Sequence, residues 1–147
     1  MVFDRIDNDP TATNSPPRYP TSIFVDRTNQ NHAWISYSGY NAKTPATPGH
    51  VFEVFYQPNG SVFINRDGHK INGFGDIPAN RIIVTNRGTY YAATDYGVVV
   101  KEPDSTVWKM APAGLPNMDV ADLIYVPEID SLYAATHGQG VWQLKVQ

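Results

Sequence analysis

One stretch of this chain returns at a fixed distance, and that return limits the possible folds more than any other feature. Tyr91-Ala92-Ala93-Thr94, followed by a glycine turn and a valine run, comes back 42 positions later as Tyr133-Ala134-Ala135-Thr136, with glycines and a valine behind it. Upstream of these, Arg81-Ile82-Ile83-Val84 answers Asp122-Leu123-Ile124-Tyr125 at an offset of 41. A looser copy precedes both: Ser22-Ile23-Phe24-Val25, then Ala33-Trp34-Ile35-Ser36-Tyr37, then Val51-Phe52-Glu53-Val54. A repeat of this length is one supersecondary unit, and such units bury their apolar faces only against neighbours.

Inside each unit the apolar residues fall in short runs separated by Pro, Asn, Asp and Gly, the pattern of antiparallel strands in a meander. First strands are expected at 23–25, 82–84 and 123–126, and second strands at 34–38, 90–94 and 132–136. Third strands follow at 51–55, 98–101 and 141–145, and fourth strands at 61–64 and 106–109. Composition agrees: fourteen Val and ten Ile stand against four Leu, which suits a pleated, half-buried surface. Twelve Pro and eleven Gly are spread along the whole chain, so no long helical period survives. The expected fold is all-β: four-stranded β-propeller blades, about three blade-equivalents in the chain. Ile23, Val25, Ile83, Val84, Leu123 and Ile124, on the innermost strands, are expected to be deeply buried.

The organisation reads as one propeller segment over 1–147. Residues 1–21 give a strand (2–6) and a linker, 22–64 a first blade, 81–109 a second, and 122–147 a final three strands. The strand at 2–6 is placed to complete the blade that ends near Val146. Three blade-equivalents cannot easily close a ring, since propellers use about four to eight. The chain is therefore expected to pair with itself, as a homodimer or higher oligomer, or with further propeller blades.

Charge and length exclude other classes. A net charge of -3 and a pI near 5.7 give no basic footprint for nucleic acid. No apolar run approaches the length of a membrane span. Residues 1–10 carry Asp4, Arg5, Asp7 and Asp9 and do not read as a signal peptide. The absence of cysteine rules out disulfides and thiolate metal sites but leaves the compartment open.

The phrases Ser38-Gly39-Tyr40-Asn41, Pro48-Gly49-His50-Val51-Phe52, Gly114-Leu115-Pro116 and Ala135-Thr136-His137-Gly138 resemble the Asp-box (BNR-type) propellers of sialidase-like, sortilin-like and xyloglucanase-like proteins, and above all their C-terminal blades. The Asp-box itself is degenerate: Pro103-Asp104-Ser105-Thr106-Val107-Trp108 keeps an Asp and a Trp but not the glycine. The resemblance implies an extracellular or cell-surface setting and a glycan or protein ligand. It also implies that ligands sit on the face away from the Asp-box turns. On that face it selects Tyr40, His50, Arg66, Asp67, His69, Tyr96 and His137 as candidate binding residues.

Each of these also has a plain structural reading. Tyr96 and His137 flank turns, and Asp67-Gly68 is itself a turn signal. The four His show no metal-ligand spacing, and no nucleophile elbow is present. No catalytic residue, cofactor or metal site is expected. The loop acids Asp67, Asp76, Asp95 and Asp119 leave open a fragment of a glycoside hydrolase, and an engineered half-propeller is a further alternative. Residues 41–49 lengthen one unit only, an insertion of the kind that carries binding roles in repeat arrays.

Overall fold

The computed structural model describes residues 5–7, 12–67, 74–112 and 114–146. Among the described residues eleven strands form three antiparallel sheets. The first holds β1 (Pro20–Val25), β2 (His32–Tyr37), β3 (Val51–Phe55) and β4 (Val62–Asn65) in chain order. The second holds β5 (Ala79–Val84), β6 (Tyr90–Thr94), β7 (Gly97–Lys101) and β8 (Lys109–Met110). The third holds β9 (Val120–Val126), β10 (Ser131–Thr136) and β11 (Val141–Lys145). Helix among the described residues is confined to two single 3₁₀ turns, Asn41–Lys43 and Pro127–Ile129. Among the described residues no helix is long and apolar enough to cross a membrane.

Side chains alternate across each strand, so every sheet has two faces, and the sheets stack face to face in sequence order. Trp34 and Val51 of the first sheet meet Ile82, Val84, Ala92 and Val99 of the second. The opposite face of the second sheet, with Ile83, Tyr91, Val98 and Val100, meets Leu123, Tyr125, Leu132 and Ala134 of the third. The first strands of the three sheets lie side by side, β1 against β5 and β5 against β9.

The same backbone device recurs at the head of each first strand. The pairing register slips once in each, leaving Thr21, Asn80 and Ala121 as single extra residues, a β-bulge every time. Bulging aims the side chain at the next sheet. Thr21 Oγ1 donates to the carbonyl of Ala79 (2.6 Å), and Asn80 Nδ2 donates to the carbonyl of Val120 (3.1 Å). Each acceptor immediately precedes the next bulge residue. Beside the first clamp, the Ile82 N–H donates to Ser22 Oγ at 3.0 Å, so a backbone donor of the middle sheet is satisfied from the sheet before it.

Burial of the first strands departs from expectation in an informative way. Ile83, Val84 and Leu123 are buried, but Ile23 is 58%, Val25 52% and Ile124 54% exposed. The middle sheet is covered on both faces, whereas among the described residues no sheet packs on the outer face of the first or the third; the segment at Ala12 covers Ile35, Tyr37, Phe52, Val54 and Phe63 but leaves Ile23 and Val25 open. Position in the stack, not residue type, decides the outcome. On the open face of the first sheet Ile23, Val25, Ile35 and Val54 form an apolar groove. Ile6 lines that groove too; Val2, Phe3 and Asp4 of the expected strand lie outside the described residues. Farther along the chain, Thr13 pairs in parallel with Val62 at the edge of β4.

Candidate functional site

The seam between the first and second sheets opens at its outer margin into a cleft of about 580 Å³ that combines aromatic walls with opposed charges. Glu53 enters it because β3 alternates: Phe52 and Val54 turn to the outer face, so Glu53 joins Trp34 and Ile64 on the inner one. From the other wall come Tyr90 of β6 and Lys101 of β7, paired across the sheet. Tyr90 receives the Trp34 indole N–H at 3.2 Å and meets the rings of Trp34 and Trp108 edge-on. The Lys101 ammonium sits over the Tyr90 ring, 3.8 Å from its centre. Burial, then the nearby Arg66 charge, push the Lys101 amine below its ordinary pKa.

Glu53 is the hub of the charges. It is 6% exposed, and it is held by Arg66 and by His32 Nε2 (2.6 Å). The other nitrogen of His32 faces Asp26 at 2.8 Å, and Phe55 stacks on the ring, centroids 4.5 Å apart. Hydrogen bonds from the Thr28 hydroxyl and N–H, with His32 beside them, hold Asp26 down at a pKa of about 2.

Of the described residues singled out from the sequence, only Arg66 lines this cleft. His50 and Asp67 are enclosed, fixing the 41–49 insertion. The His50 N–H donates to Asp67, while His50 Nε2 pairs with Asp76 (2.9 Å), which also accepts from the Asn41 N–H (2.9 Å). Gly49 closes the loop at φ +116°, where a Cβ would fall 2.7 Å from Asp67 Oδ1, so only glycine fits. Tyr40, Tyr96 and His137 stand on exposed turns. His137 is joined through its N–H to the carbonyl of Asp119 (2.9 Å). Asp119 and Asp95 converge on one donor, Asn80 Nδ2, at 2.9 and 3.3 Å. His69 lies outside the described residues.

Burial, helped by the Arg18 charge beside Nδ1, lowers the His50 pKa from 6.5 against the opposing pull of Asp67 and Asp76. The folded state thus binds this proton less readily than the unfolded chain, so the stability His50 contributes is present above about pH 6.5 and is lost as pH falls below it. The urea midpoint is expected to drop between about pH 7.5 and about pH 5.5, and His50→Gln should flatten part of that slope. Identical pH profiles for the two proteins would remove His50 as the source.

Sequence reasoning passed over Glu53, Tyr90 and Lys101 because it looked for function in loops. A signal was present. Glu53 is the one carboxylate inside Val51-Phe52-Glu53-Val54-Phe55, and Lys101 ends the run Val98-Val99-Val100; charges inside apolar strands are costly unless something on the facing sheet receives them.

No family model matches the sequence, and no curated protein matches it. Among solved structures, the chain is similar to the extracellular domain of the BT4673 system of B. thetaiotaomicron, which is described in one structure as one-component and in another as hybrid two-component. The first aligns with a TM-score of 0.53 at 16% identity over 77% of this chain, the second with 0.50 at 12% over 83%. The chain spans only 14% and 13% of the length of those chains. At such identities the likeness concerns the fold alone.

Proposed function

We propose that the three sheets are blades of a β-propeller of the Asp-box kind, and that the chain is a non-catalytic recognition or scaffolding module for a glycan or protein, its ring completed by a second copy. The observation that carries this is the open face of the first sheet. Ile23 and Val25 stand exposed beside the buried Ile35 and Val54, in a sheet whose other face is packed. Side-by-side first strands and stacked antiparallel meanders are what consecutive blades require. Exposed apolar faces of this kind mark interfaces, and two copies of three blades lie within the usual range of closed rings. The neighbours' extracellular setting suits such a module.

Sedimentation tests the reading directly. A dimer is expected, and Ile23→Asp should shift it to monomer, because a carboxylate on a covered apolar face goes unpaired. A compact 16.3 kDa monomer with the same mass in wild type and variant would end it. The same preparation should release no sugar from β-glucans, xyloglucan or sialosides. The hydrolase-fragment alternative draws its support from Asp95 and Asp119, which share Asn80, since glycosidases use carboxyl pairs roughly 5–10 Å apart. Cleavage lost in Asp95→Asn would favour it.

A further inference from the structure

Lys101 is 7% exposed, yet among the described residues its ammonium has no carboxylate or hydrogen-bond acceptor, only the ring faces of Tyr90 and, at 5.8 Å, Trp108. Arg66, on the same cleft, is already committed to Glu53, and Glu53 is shared again with His32. Two cations therefore face the cleft against one carboxylate in its interior. An ammonium set in a cleft wall with no paired carboxylate or hydrogen-bond acceptor depends on water and on the ring faces, and the rings compensate only in part.

From this we infer that the cleft is a binding site for a carboxylate carried on a hydroxylated ligand, an acidic sugar, with the carboxylate seated between Lys101 and Arg66. Charge selects the anion, since a carboxylate there supplies the missing counter-charge and relieves the repulsion between the two cations. The rest of the lining selects the sugar. Thr106 and Asp104 at the rim offer a donor and acceptors for hydroxyls, and about 580 Å³ is room for one or two sugar rings with water. The site lies wholly between two sheets of one chain, so it stands or falls independently of how any ring is completed.

The indole N–H resonances give a local readout, because Trp108 borders Lys101 while Trp142 packs in the other seam. Titration with D-glucuronate is expected to move the Trp108 signal saturably and leave Trp142 still. Acetate should act more weakly and glucose not at all. Lys101→Met, which keeps the stem on Tyr90, should weaken glucuronate binding at least about tenfold, the worth of one charge-assisted hydrogen bond. Thr106→Val, at an exposed position, should weaken glucuronate and leave acetate unchanged, and it serves if Lys101→Met fails to fold. No saturable shift with glucuronate, or an undiminished one in folded Lys101→Met, overturns the site. Equal binding of acetate and glucuronate overturns the sugar, and equal binding of glucose overturns the role of charge.

Discussion

Trp108→Ala is expected to lower the free energy of unfolding by about 3–5 kcal/mol, a large share of what a domain of this size commands. The indole is 2% exposed at the seam of the first two sheets. Its N–H donates to the Arg66 carbonyl at 3.0 Å, and Phe74 and Tyr90 meet its ring edge-on. Truncation leaves a cavity between rigid strands, an unpaired carbonyl and two aromatic rings without their partner, and each loss adds to the others. Trp108→Phe retains the ring contact but not the donor, and should cost about half as much. Urea unfolding followed by circular dichroism measures both; a loss below about 1 kcal/mol for alanine would show that the seam does not depend on this residue.

Glu53→Ala should cost about 2–3 kcal/mol, less than the about 3–5 for a fully enclosed pair because the Arg66 side chain is 38% exposed. Removing this carboxylate leaves Arg66 and Lys101 facing each other and frees one nitrogen of His32. Most of the deficit is then repulsion, which salt screens. Raising ionic strength should recover part of it, and Glu53→Gln, which preserves the volume, should show a similar salt response. A deficit that is the same at low and high salt would assign it to packing.

The strand pattern was written plainly in the sequence. β3 is placed to the residue by Val51-Phe52-Glu53-Val54-Phe55 between its turns, and the returning Tyr-Ala-Ala-Thr marks β6 and β10. What the repeat could not show was context. Ile23 and Ile83 occupy matching strands, yet one is exposed and the other enclosed, because only the second lies in a sheet covered on both sides. The strand expected at 106–109 shrinks to Lys109–Met110, as Val107 turns outward and Trp108 swings into the seam. His50 looked like a loop residue open to ligand, but the insertion folds back over it through Gly49. The cleft was the least legible feature of all, since Glu53 and Lys101 gain their meaning from the sheet each faces.

The clamps at Thr21 and Asn80 give the stack a direction in time. Each donor belongs to the earlier sheet and each acceptor to the later one, so on the ribosome the donor always emerges first. In the folded chain Thr21 meets the Ala79 carbonyl and Asn80 the Val120 carbonyl, so each clamp joins a donor made early to an acceptor made later. Docking in the order of synthesis is the sequence of events such clamps favour, and it would shorten the interval in which a nascent apolar face meets other chains. Ala121 occupies the third bulge and has no side-chain donor to pass on, so at that point the relay stops and any later partner must be held by surface alone.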